Sequence, residues 1–228
     1  MPLVIESVRK QLIENVDEKT EETGKKYFKE EIQLYGVKTA AVTNIAKQSF
    51  KLIKDLSKKD IFDLCEELWQ SNMLEESFVA CNWAYSLRSR FSEDDFSRLE
   101  KWVGTYINNW ASCDTLCNHT IAAFIEKYPG YAGRLKEWTG SQNRWVRRAS
   151  AVSLILPARK GLFKVEIFEI AGKLLLDHDD MVQKGYGWML KSLAEVYEDE
   201  VYQFVMDKKS IMPRTALRYA IEKMPETK

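Results

Sequence analysis

The sequence predicts an all-α fold, and three observations carry that prediction. Apolar residues recur at helical spacing along nearly the whole chain, and no segment shows the strict alternation of a half-buried strand. Glycine and proline number only 10 and 5 in 228 residues, whereas sheet proteins need many turns. The helical segments also resemble one another at a fixed offset.

Taken in order, "VIESVRKQLIENV" (4–16) places Val4, Val8, Leu12 and Val16 at multiples of four. "KKYFKEEIQLYG" (25–36) reads as a helix closed by Gly36 as C-cap. "KTAAVTNIAKQSFKLIKDL" (38–56) comes next, with Thr39 as its N-cap. "KKDIFDLCEELWQS" (58–71) and "EESFVACNWAYSLRSRF" (75–91) read as two antiparallel helices with a short joint. "SEDDFSRLEKWVGTYI" (92–107) opens on Ser92 and then acids, as in a capping box. Further helices are expected over 109–128, 143–156, 163–176, 179–197 and 212–224.

The repeat lies in the second half. "WVRRASAVSL" (145–154) and "MVQKGYGWML" (181–190) share one layout: large apolar residue, valine, two polar or basic residues, small residue. Val146 and Val182 set the offset at 36 residues. "FVACNWAYSL" (78–87) has the same outline and "PRTALRYAI" (213–221) a looser one. Helical pairs at this period predict an α-solenoid of HEAT-like repeats forming a single domain over residues 1–228. Second helices of such pairs line the concave side, so Arg148 and Lys184 are expected at equivalent inner positions of a groove. By spacing alone an ordinary helical bundle also fits, and these cations also read as solvated surface charges.

Composition sets limits. Lys+Arg 34 balances Asp+Glu 34, which excludes a whole-molecule basic field. A nucleic-acid partner therefore requires segregation of charge, with "NRWVRRAS" (143–150), Lys184, Lys191, Arg214 and Arg218 on one face. The acidic runs at 17–22, 177–180 and 198–200 are then expected elsewhere. The start lacks the apolar core of a signal peptide and no run approaches spanning length, so the expectation is a cytoplasmic protein without membrane contact and with reduced thiols. Cys113 and Cys117 lie one helical turn apart near His119. With two histidines and no second cysteine pair at ligand spacing, small buried thiols are expected and no metal or cofactor.

One stretch stands out. "INNWASCDTLC" puts Trp110 four residues before Asp114, on one helical face. Taken alone, the indole reads as core and the carboxylate as surface. "NNWASCDTLC", "SQNRWVRRASAVSLI" and "VQKGYGWMLKSLAEVY", in this order and spacing, resemble the AlkD-type DNA alkylation repair glycosylases. "YGVKTAAVTNIAK" (35–47) is similar to the family's early loop and helix, and "PRTALRYAIEKM" to its terminal helix. The likeness covers the chain from about residue 25 onwards. No single motif is specific; the combination is.

The resemblance implies a helical-repeat fold holding duplex DNA that contains alkylated bases in a basic concave groove. It implies excision of cationic N3- and N7-alkylpurines by hydrolysis of the N-glycosidic bond. It places the catalytic carboxylate at Asp114, the two indoles facing the lesion at Trp110 and Trp188, and the backbone-gripping arginine at Arg148. Arg147, Lys184, Arg214 and Thr39 are candidate further contacts to DNA phosphates. Trp69, Trp83, Trp102, Trp138 and Trp145 are assigned to packing. No lysine is placed as a Schiff-base nucleophile, so base release without strand cleavage is expected of a monomer that needs no metal. Ala111 stands where family members often carry an acid, and Tyr186 is expected to crowd the groove near Trp188. Two rivals remain at this point. One is a paralogue of the same fold that binds DNA without excision; the other is a helical-repeat protein-interaction scaffold.

Overall fold

The computed structural model describes residues 2–224, and among them every regular element is helical. The chain divides into two compact units, the first ending at Thr115 and the second beginning at Leu116.

The first unit contains α1 (Pro2–Glu14), α2 (Glu18–Lys26), α3 (Thr39–Ile53), α4 (Lys58–Gln70), α5 (Leu74–Ser86), α6 (Asp95–Thr105) and the short α7 (Trp110–Thr115). α5 packs against α3, α4 and α7. Its core includes Ile5, Val8, Leu12, Trp83 and Trp102, all sealed from solvent. Trp83 donates its indole N–H to the Ala46 carbonyl at 3.0 Å, so even a core indole satisfies its polar atom.

Two expectations are corrected here. Residues 27–37 are not helical: α2 covers the preceding acidic run, capped by Asp17, which accepts from the Thr20 amide at 2.8 Å. The buried carboxylate of Glu75 accounts for the difference. It accepts hydrogen bonds from the backbone N–H groups of Tyr35, Gly36 and Val37, at 2.9, 2.9 and 3.0 Å. Three consecutive donors thereby find one distant acceptor in place of helical carbonyls. Gly36 is consequently no C-cap. It takes φ +86°, and a Cβ there would lie 2.5 Å from Glu21 Cβ. Thr39 is likewise not the N-cap of α3. Lys38 takes that place, and Thr39 is the first helical residue, exposed. The bridge of Val37 to Val16 keeps the chain extended up to Lys38.

The second unit contains a π-helical turn (Leu116–Ile121), α8 (Ala122–Lys127), α9 (Ala132–Trp138), α10 (Arg144–Val152), α11 (Ile155–Arg159), α12 (Lys164–Lys173), α13 (Asp180–Ala194), α14 (Glu198–Lys208) and α15 (Arg214–Ile221). α13 is the hub, packing on α10, α11, α12, α14 and α15. Glycine sets one approach. A Cβ on Gly187 would lie 2.7 Å from Tyr219 Cβ and 2.8 Å from the Ala216 carbonyl, so α15 seats directly on the α13 backbone.

The repeat shows itself in the polar contacts. Within the first unit Arg98 pairs with Asp63, 35 residues away, and Trp83 reaches Ala46, 37 away. Within the second, Lys160 pairs with Glu126 at a separation of 34, and Tyr197 donates to the Gly161 carbonyl at 36. Such separations match one repeat length, as expected where each helical pair bonds mainly to the next.

Candidate functional site

The turn that carries Trp110 and Asp114 is fixed by asparagines. Asn109 is buried, and its Oδ1 accepts from the Ser112 amide at 2.9 Å, capping α7. Its amide donates to Asn108 at 2.8 Å, and Asn108 donates to Asn72 at 2.7 Å. Asn72 takes a left-handed backbone, φ 58°, between α4 and α5. The start of α7 is thus tied back through three amides to the preceding repeat. Trp110 and Asp114 lie one turn apart, both half-exposed. Ala111, Ser112 and Cys113 between them are buried, so Trp110 and Asp114 hold the less buried face of this turn.

The sequence pattern does not reveal the partner of Trp110. Phe28 stacks on it, centroids 5.3 Å apart and planes 20° off parallel. Phe28 belongs to the 27–37 segment, which Glu75 holds. Glu76 secures the same segment: it accepts 2.7 Å from the Tyr35 hydroxyl and is gripped by Arg9 at 3.0–3.2 Å. Burial, then the Glu76 carboxylate, pushes the Tyr35 phenol well above its usual range, and the same carboxylate raises Arg9. Two adjacent acids at the start of α5 were the available signal. Acids in a first helical turn usually face solvent, and these do not.

In the second unit the basic cluster meets an acidic one. Arg147 bonds Asp177 through Nε at 2.6 Å and Nη2 at 3.3 Å, and its Nη1 donates to the carbonyls of Ser141 and Gln142. Arg144 pairs with Asp179 at 2.8 Å, and Lys184 with Asp180 at 3.4 Å. The expected segregation of "DHDD" away from the arginines is therefore overturned. Asp179 caps α13 by accepting from the Met181 and Val182 amides, and that fixes the run against the cations of α10.

Arg148 is 4% exposed. Its Nη1 donates to the Met181 carbonyl and its side chain lies over Gly185, whose absent Cβ leaves the space. Tyr186 does not crowd any open face: it is sealed in the core and donates to the Leu175 carbonyl at 3.1 Å. Two residues on, Trp188 is half-exposed and makes no hydrogen bond or ring contact among the described residues. Arg214 opens α15 and is exposed.

The seven tryptophans divide accordingly. Trp69, Trp83, Trp102, Trp138 and Trp145 are buried, whereas Trp110 and Trp188 are not. Cys113 and Cys117 are buried free thiols. Among the described residues no group of three or more histidine, cysteine or acidic side chains is placed to hold a metal. No described helix is long and apolar enough to cross a membrane.

Helical pairs bonded at repeat spacing in each unit define a helical-repeat protein. The chain belongs to the DNA alkylation repair enzyme family, whose model matches residues 8–224. A solved structure described as a predicted DNA alkylation repair enzyme from Enterococcus faecalis has the same fold. The TM-score is 0.83 at 16% identity, covering 93% of this chain and 98% of that one. AlkD2 from Streptococcus mutans gives 0.63 at 19% identity, covering 83% and 91%. At these identities the likeness is one of fold. No curated protein matches the sequence.

Proposed function

We propose that this protein is a DNA glycosylase that hydrolyses the N-glycosidic bond of cationic N3- and N7-alkylated purines in duplex DNA. The observation that carries the reading is the sorting of the tryptophans. A large indole gains most by burial, yet the two that the family pattern marks, Trp110 and Trp188, stay open while the other five are buried.

The chemistry asks little of the protein. An N3- or N7-alkylpurine is already a cation, so when C1′–N9 or its equivalent breaks, the bonding pair neutralises the departing base. No general acid is required. The deoxyribose is left with oxocarbenium character, which Asp114 stabilises. Asp114 also orients a water that adds to C1′, and the water's proton leaves to solvent, giving an abasic site with the strand intact. Trp110 and Trp188 meet the sugar and the cationic base; an aromatic face attracts a cation by about 0.5–2 kcal/mol. Phe28 supports the Trp110 ring from behind. Arg148, buried and donating to the Met181 carbonyl, reaches a phosphate by exchanging that carbonyl for it, and Arg147, Lys184, Arg214 and Thr39 supply further backbone contacts without reading sequence. A monomer without metal or cofactor suffices, and a cytoplasmic location fits this work.

Methylated duplex DNA tests the proposal. The parent protein should release N7-methylguanine or N3-methyladenine. Asp114→Asn should lower single-turnover release by about 10²–10³-fold while leaving duplex affinity unchanged. Equal release by parent and variant sinks the assignment.

A second reading, DNA binding without excision, is favoured by Ala111. It is buried and presents no acid beside Trp110, leaving Asp114 the one carboxylate on that turn. Salt-dependent duplex binding with no base released over long incubation would select it.

A further inference from the structure

On the second unit, α13 and α15 enclose an open cleft of about 440 Å³ lined by Lys184, Thr215, Arg218, Tyr219 and Glu222. Its charge is one-sided. Glu222 is engaged by Lys191 at 2.7 Å, and the Lys191 ammonium also lies over the Tyr219 ring at 5.4 Å. The Lys184 pairing with Asp180 is long, 3.4 Å, and part-exposed, so it is weak and easily exchanged.

Arg218 differs from its neighbours. The unit's arginines at 134, 144, 147 and 159 each pair with a carboxylate, and Arg148 donates to a carbonyl. Arg214 and Arg218 alone have no hydrogen bond, ion pair or ring contact among the described residues. Both are exposed, and they stand four residues apart on α15. Like charges at that spacing destabilise a helix. The arrangement makes electrostatic sense once an anion sits against it. The planar guanidinium of Arg218, the Lys184 ammonium and the Thr215 hydroxyl line this one cleft and are donors of the kind that phosphodiester oxygens accept.

We infer that Arg218, with Lys184 and Thr215, forms a seat for a DNA backbone phosphate in the α13–α15 cleft. The inference rests on the DNA-binding part of the proposed function and adds Arg218 as a positioning residue. It fixes the register of the duplex beside Trp188, which α13 also carries. Bases are not read there, because nothing in the cleft is shaped to select one.

The test is the salt dependence of binding to an unmodified duplex, measured by fluorescence anisotropy for the parent, Arg218→Gln and Lys209→Gln. Lys209 is an exposed cation of the same unit that lies outside the cleft, so its loss changes net charge equally. Arg218→Gln should make the log–log salt slope shallower by about 0.9, the value for one phosphate contact. It should weaken binding several-fold for all sequences alike. Lys209→Gln should keep the parental slope. A parent that binds and releases base while Arg218→Gln retains its slope, or while both variants lose slope equally, overturns the seat alone. A parent that does not bind duplex DNA overturns the seat and the DNA reading together.

Discussion

Two acidic helix starts do opposite jobs in this molecule. At the start of α5, Glu75 and Glu76 are 3% and 1% exposed; they hold the 27–37 segment by its backbone amides and the Tyr35 hydroxyl, and Arg9 of α1 braces Glu76. At the start of α13, the Asp177–Asp180 run is partly exposed and lies against the cations of α10 and of α13 itself. Both place negative charge where a helix dipole welcomes it. Burial separates their roles. A buried carboxylate must be fully bonded and therefore becomes structural. An exposed one exchanges its partners easily and sets how much positive charge the surface shows to a polyanion.

The largest effect should come from breaking the buried member. Glu75→Ala leaves the amides of Tyr35, Gly36 and Val37 without their acceptor, two of them on buried residues. Leaving a buried backbone donor without its partner costs about 1–3 kcal/mol for each group. Equilibrium urea unfolding should show that loss. Because the 27–37 segment also carries Phe28, the emission of Trp110 should shift as the stack loosens. A variant as stable as the parent, with unchanged fluorescence, would mean that the segment is held by something other than this carboxylate.

Asp180→Asn should behave in the opposite way. Asp180 is 39% exposed and faces Lys184 at 3.4 Å and Arg144 at 3.9 Å. Its neutralisation should alter unfolding free energy by less than about 1 kcal/mol. Duplex affinity should rise several-fold at low salt, with a steeper salt slope, because Lys184 no longer exchanges one anion for another. Improved binding without a stability change would sharpen the contrast. Unchanged binding would show that the acidic run does not govern the charge offered to DNA.

The same contrast explains what can be read from sequence. Helix positions from α3 to α6 and from α10 to α13 follow from local apolar spacing, which a window of residues contains. The 27–37 segment misleads because its pattern is locally helical, while the group that extends it sits forty residues on. α9 and α14 escape such a reading; α14 begins in the acidic run at 198–200, which looks like surface charge alone. The π-helical turn has no residue signature. Of the residues proposed for the site, Trp110, Asp114 and Trp188 are each partly exposed. Their supports are not legible in the sequence. Phe28, the asparagine relay from Asn72 to Asn109, and the pairing of Arg147 with Asp177 all depend on which repeat faces which. Composition tells how many charges there are, not which oppose which.

The smallest effect tests whether exposure, rather than helix position, is the deciding variable. Asp17 caps α2 as Asp179 caps α13, and it too is a part-exposed acid in an acidic run, bonded by the Thr20 hydroxyl and amide and by Lys38 at 3.1 Å. The Thr20 hydroxyl first, and then Lys38, lower its pKa to about 2. A carboxylate depressed in the folded state binds its proton later than in the unfolded chain. Its contribution is therefore complete above about pH 4 and is lost as pH falls from there through 2. If exposure decides, this loss is confined to α2. Amide exchange of residues 18–26 should accelerate between pH 4 and 2, relative to Asp17→Asn, which should show no such step. The Glu75-bound amides of Gly36 and Val37 should stay protected over the same interval. Global unfolding that tracks the Asp17 titration would instead make helix position the governing factor, and the division between structural and tuning acids would fail.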